Sequence, residues 1–81
     1  MKKAPLRVIY ARNFSYEMWS RDWGIKETAQ KLGTTDITIS RIRQARNSNL
    51  DMEVLTAAVE AFECDFNRLL LPRDDISYSS S

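Results

Sequence analysis

The segment Gly24 to Gln44, GIKETAQKLGTTDITISRIRQ, constrains this chain more than any other. Two short helices crossing at a sharp angle need a small residue where they touch, and Ala29 supplies one. Four residues on, the chain must turn abruptly with positive φ, which glycine adopts without a Cβ clash, and Gly33 stands there. The second helix must anchor on the first through apolar residues one turn apart, a spacing that Ile39 and Ile42 have and that Leu32 completes. Thr34 and Thr35 offer a hydroxyl to cap that helix. The pattern predicts a helix-turn-helix, its first helix over about Lys26 to Leu32 and its second over about Asp36 to Ala45. An ordinary helical hairpin with a glycine turn is the plainer alternative. The basic outer face of the second helix and the short chain favour the helix-turn-helix.

Around this motif the rest of the chain divides into short segments. Residues 6–14, LRVIYARNF, hold Leu6, Val8, Tyr10 and Phe14 on alternate positions with β-formers at the centre, which suits a strand, while Pro5 suits the first turn of a helix. Ser15 is expected to cap a short helix from Tyr16 to Trp23 that aligns Tyr16, Trp19 and Trp23, with Gly24 as its stop. Beyond the motif, Arg46 to Asn49 reads as a polar loop in which Asn49 caps a fourth helix over Leu50 to Glu63. Asp65 caps a fifth, Phe66 to Leu71, which Pro72 ends. The expected organisation is one domain: an arm or strand over 1–14, a helical core over 15–72 and a flexible tail over 73–81.

Composition narrows the function. The chain has no histidine, which removes the commonest general base and metal ligand, and it holds no phosphate-cradling glycine loop or nucleophile elbow. It is therefore expected not to be an enzyme and to need no cofactor and no metal. A single cysteine, Cys64, fits a reducing cytoplasm and is expected to fill a core position between the last two helices. No apolar run approaches the length of a membrane span. The net charge of +1 hides a strong polarity. Residues 1–49 carry ten basic against four acidic side chains, and residues 50–81 carry two against seven. Such a division suits one face for phosphates and another for a different partner, and equally suits two ordinary solvated faces.

With these residues in view the chain resembles the phage Cro proteins and their relatives, the phage repressors and CII-type activators. The likeness to Cro runs without gaps from about Phe14 to Ala45. Phe14 and Tyr16 stand at apolar positions flanking a cap, Trp19 and Trp23 at aromatic positions of the first helix, and Thr28-Ala29 and Leu32-Gly33 match directly. From Leu50 onward the likeness shifts to the helical second half of CII-type proteins and phage repressors, with their acidic cap, here Asp65, and leucine-rich turn. Together the two likenesses cover roughly 55 to 60 residues. They imply an all-α, five-helix lambda-repressor-like DNA-binding domain, working as a phage or prophage transcription regulator in the cytoplasm of a bacterial host. Thr34 stands where the family usually has an apolar residue, and Asp36 and Ile37 where it often has glutamine, so no operator sequence carries over.

The resemblance implies that base edges meet Thr35, Asp36, Ile37, Ser40, Arg41 and Gln44. Arg41 is best suited to bond guanine O6 and N7 together, Ser40 bonds either base type, and Ile37 suits a thymine methyl. Asp36 either accepts from cytosine N4 or simply complements the helix dipole. Lys26, Arg43 and Arg46 are placed for phosphates, and Lys2 and Lys3 form either a DNA-tracking arm or a solvated end. The implied partners are double-stranded operator DNA, a second copy at least on DNA, and RNA polymerase; no membrane is implied. Met52 and Val59, surplus apolar side chains of the fourth helix, either make the subunit interface or close the core. Repression by blocking polymerase is the simplest outcome, with a CII-like activator, or an antitoxin or protein-interaction module using the acidic half, as alternatives.

Overall fold

The computed structural model describes residues 5–46 and 50–78. Lys2, Lys3, the expected Asn49 cap and the closing serines fall outside them. Five helices follow one another: α1 (Leu6–Ser20), α2 (Ile25–Leu32), α3 (Asp36–Arg43), α4 (Met52–Ala61) and α5 (Phe66–Leu70). No strand occurs among the described residues. The fold is all-α, as expected.

The N-terminal third departs from expectation. In place of a strand and a short helix there is one helix, α1, which Pro5 precedes in extended conformation and which runs through Ser15 without interruption. Ser15 is therefore no cap, and Trp23 lies beyond the helix. The alternation of Leu6, Val8 and Tyr10 misleads because Ile9, Tyr10, Ala11, Asn13, Phe14, Glu17 and Met18 are the residues that α1 buries. That set follows a helical period, with two polar members inside it.

Phe14 is fully buried at the centre of the core with Ile39, Leu55, Phe62 and Leu69. Its ring meets Tyr10 edge-on at 5.7 Å and Phe62 edge-on at 5.3 Å, geometries that suit the aromatic quadrupole. Trp23 stacks on the far side of Phe62 at 5.5 Å. The core thus draws from all five helices. Cys64 packs at its edge, half-buried, and burial together with the charge of Glu17 pushes its thiol pKa up.

Two buried polar side chains of α1 hold the C-terminal region. Asn13 donates from Nδ2 to the carbonyls of Leu69, at 3.0 Å, and Leu71, at 2.9 Å, and accepts at Oδ1 from the Tyr78 hydroxyl. Glu17, its side chain 1% exposed, accepts from Arg21 at 2.7 Å, Arg68 at 2.9 Å and Arg73 at 2.7 Å. Arg73 also lies over the Tyr16 ring at 4.6 Å and pairs with Asp75 at 3.1 Å. Residues 73–78, expected to belong to a flexible tail, thus bond to α1 through Arg73 and Tyr78, although the last helix ends at Leu70.

The helix ends explain why the glycines are so few. After α1, α2, α3 and α4 a backbone N–H reaches back five residues: Trp23 to Met18, Thr34 to Ala29, Arg46 to Arg41 and Cys64 to Val59, at 2.9 to 3.1 Å. Each closure needs a left-handed residue, and only after α2 is it a glycine. Asp22, Ala45 and Glu63 fill the other three at φ of 54° to 59°. Gly24 is consequently not a stop. It precedes α2 in extended conformation. The starts of α4 and α5 are capped by Asp51, bonded from the Glu53 and Val54 amides, and by Asp65, bonded from that of Arg68.

Two stability predictions follow from this frame. Burial raises the Glu17 pKa, but hydrogen bonds from Arg21, Arg68 and Arg73 outweigh it and hold the carboxyl below its ordinary 4.5. The stability it contributes is complete above about pH 4.5 and is lost as pH falls through the lowered folded value. Glu17→Ala should lower stability by about 3 kcal/mol, the low end for a broken buried pair because Arg21 and Arg68 reach solvent, and should flatten the acid limb of a denaturant-unfolding series. Ala45→Gly should relieve the left-handed strain, raising stability by about 1 kcal/mol and Tm by about 4–8 °C in a thermal melt.

Candidate nucleic-acid interface

The α2–α3 unit begins with Gly24, whose carbonyl accepts both the Thr28 amide, at 3.0 Å, and the buried Thr28 hydroxyl, at 2.8 Å. α2 turns Ala29 and Leu32 inward, Gly33 closes it at φ 70°, and α3 turns Ile39 and Ile42 inward. These five residues, named from their spacing alone, come together as one turn between two helices. Thr35 caps α3, its Oγ1 accepting from the Thr38 amide at 3.2 Å and lying 3.0 Å from the Thr38 hydroxyl. That hydroxyl is thus engaged within the protein.

With Ile39 and Ile42 inside, α3 presents Ile37, Ser40, Arg41 and Gln44 on its opposite side. Ile37 is 64% exposed, an apolar side chain at the N-terminal end of an otherwise polar ridge. Gln44, the C-cap of α3, donates from Nε2 to the Ser40 hydroxyl at 3.2 Å. Asp36 opens the first turn, exposed. Arg41, Arg43 and Arg46 are all exposed, with Arg46 just past the α3 closure, so the helix ends two residues before the expected Ala45. Lys26 is exposed in the first turn of α2, an end where no side chain caps the free amides.

A cleft flanks the ridge on each side. On one side a space of about 900 Å³ lies between α1 and the second half of α3, with Arg12, Ser15 and Trp19 on one wall and Ser40, Arg43 and Gln44 on the other. On the other side a space of about 420 Å³ is bounded by Tyr10, Thr38, Arg41 and Asp51. The Tyr10 hydroxyl there is buried with no hydrogen-bond partner among the described residues, and burial, then the Asp51 charge, raises its pKa.

The charges divide cleanly. Arg21, Lys31, Arg68 and Arg73 make ion pairs. Arg7, Arg12, Lys26, Arg41, Arg43 and Arg46 make none among the described residues. Among the described residues the unpaired cations thus belong to α1's first two turns, the start of α2, or α3 and the residues just after it. Arg12 was missed from the sequence because residues 6–14 were expected to form a strand or arm. Read as a helix from Pro5, the spacing of Val8, Arg12, Ser15 and Trp19 puts them along one face. Among the described residues no cluster of His, Cys, Asp and Glu is arranged to hold a metal, and no helix is long and apolar enough to cross a membrane.

The architecture matches two solved structures. A hypothetical transcription factor, NHTF, from Neisseria superposes with a TM-score of 0.77 at 22% identity, covering 89% of this chain and 86% of that one. An HTH_3 family transcriptional regulator from Vibrio cholerae superposes with a TM-score of 0.71 at 19% identity, covering 79% of this chain and 35% of that one. This chain shares their fold. It spans about a third of the Vibrio cholerae chain. No protein-family model matches the sequence, and no curated protein matches it.

Ala29 is 2% exposed within the core cluster, which leaves no room for a longer side chain. Ala29→Leu should cost about 1–3 kcal/mol by overpacking and displace α3 from α2, read as a lower Tm and a changed near-ultraviolet spectrum of Trp23.

Proposed function

We propose that this chain is a sequence-specific transcription regulator that binds duplex DNA by seating α3 in the major groove. The observation that carries the proposal is that Lys26, Arg41, Arg43 and Arg46, in or just after the helix-turn-helix, and Arg12 across the cleft from α3 make no ion pair among the described residues, whereas Arg21, Arg68 and Arg73 are tied to Glu17. A phosphate backbone supplies the charge this surface lacks. The ridge itself offers the chemistry of base reading, with a guanidinium for guanine at Arg41, a hydroxyl at Ser40, an amide at Gln44 and an apolar tip for a thymine methyl at Ile37. Thr35 and Asp36 open the same helix, Lys26 and Arg46 lie at its flanks for phosphates, and the two solved structures of the same fold are described as transcription regulators.

Within that role a Cro-like phage repressor, blocking polymerase by occupying its operator, is the reading that the likeness over Phe14 to Ala45 favours, with a CII-like activator as its variant. A homodimer on a two-fold operator, with half-sites about 10–10.5 base pairs apart, fits so short a reading helix. Of the two side chains first named for that interface, Val59 packs against the core and Met52 projects, 57% exposed. A different role, a protein-interaction module of antitoxin type, draws on the exposed Glu53, Glu60 and Glu63 in and after α4. It requires a co-purifying partner and weak duplex binding.

The test separates reading from holding. Selection from random duplexes gives the operator, and operator and scrambled duplexes are then titrated at several salt concentrations. Arg41→Ala should cost about 1–3 kcal/mol on the operator and relax preference at one base pair per half-site. Arg46→Ala should weaken all duplexes alike and lower the salt slope by about one per site. A flat salt dependence of the wild type, or loss of discrimination in Arg46→Ala with none in Arg41→Ala, is incompatible with the proposal.

A further inference from the structure

The larger of the two clefts beside α3 lies outside the helix-turn-helix proper, because one of its walls is α1. Arg12 and Arg43 face it from the two walls, both without an ion pair among the described residues. Asp75, at its edge, is already paired with Arg73 at 3.1 Å, so the cleft is left with a net positive charge. Ser40 and Gln44 belong at once to the cleft wall and to the outer ridge of α3, so a duplex touched by that ridge lies across the cleft mouth. Ile25 lines the same cleft and opens α2, whose first amides no side chain caps.

A helix in the major groove has a phosphate backbone along each flank. The flank toward α4 sets Arg41 against Asp51, which leaves little net charge, whereas the flank toward α1 carries two free guanidinium groups. We infer that the α1–α3 cleft seats the sugar-phosphate backbone of one DNA strand, held by Arg12 of α1 together with Arg43 of α3. The inference rests on the reading of α3 as the DNA-facing helix, and it extends the footprint to a helix that the motif does not include. Trp19, 76% exposed, stands on the same wall.

The experiment titrates the full chain with its selected operator and with scrambled duplex over a range of salt, comparing wild type, Arg12→Ala and Arg7→Ala. Arg7 is an exposed, unpaired arginine of α1 that does not line the cleft, so it controls for loss of charge alone. Arg12→Ala should weaken both duplexes alike, by about 3- to 10-fold, and lower the salt slope by about one, while Arg7→Ala changes affinity less than about 2-fold. Replacing phosphates singly by methylphosphonate should reveal one position that weakens wild type and leaves Arg12→Ala unaffected. Arg12 is exposed and unpaired, and unchanged melting of Arg12→Ala verifies that the fold is intact. Steep, salt-dependent binding by wild type with Arg12→Ala equal to Arg7→Ala overturns the cleft assignment and leaves the reading of α3 standing. Absence of duplex binding by wild type overturns both.

Discussion

Glu17 sits in the middle of α1 with its carboxylate removed from water, and three arginines from three parts of the chain converge on it. A lone buried carboxylate is strongly unfavourable, so the fold is obliged to bring Arg21, Arg68 and Arg73 to it. That obligation docks α5 and the segment after it against α1, beside the Asn13 bonds to the carbonyls of Leu69 and Leu71. It also decides the electrostatics of the rest. The cations drawn to Glu17 are withdrawn from the surface field, and those around α3 remain to set it.

The middle of the chain was legible because its signals are local and agree with one another. Gly33 has the positive φ its position demanded, Thr35 caps the helix it precedes, and Ile39 and Ile42 turn inward. The first helix was not legible, for a reason that lies in the same carboxylate. A helix announces itself by an apolar stripe, and in α1 that stripe is broken by buried Asn13 and Glu17 while Leu6 and Trp19 face outward. Apart from Arg21, one turn on, the partners that make those polar residues tolerable lie more than fifty residues away, beyond the reach of any local pattern.

Helix ends carried a similar blind spot. Glycine is the usual left-handed residue, so a glycine after a helical stretch reads as a stop, and Gly24 was read that way. The chain instead closes three helices with Asp22, Ala45 and Glu63. Their conformation is imposed by packing on either side of the turn, which the sequence does not display. Arg12 was lost to the same cause as α1 itself, since the face a side chain occupies is undefined until the helix is known.

The length of α3 sets a limit of a different kind. Its eight residues rise by about 12 Å, while successive base pairs are about 3.4 Å apart, so the helix spans three to four of them. On the proposed reading, four base pairs read without ambiguity amount to about eight bits, a word recurring by chance roughly once in 250 positions, even with every major-groove pair distinguished. An address of that length is shared by thousands of sites in a bacterial genome. Doubling the word squares that interval to about 65,000 positions, so most of the discrimination belongs to a pair of such helices and not to one.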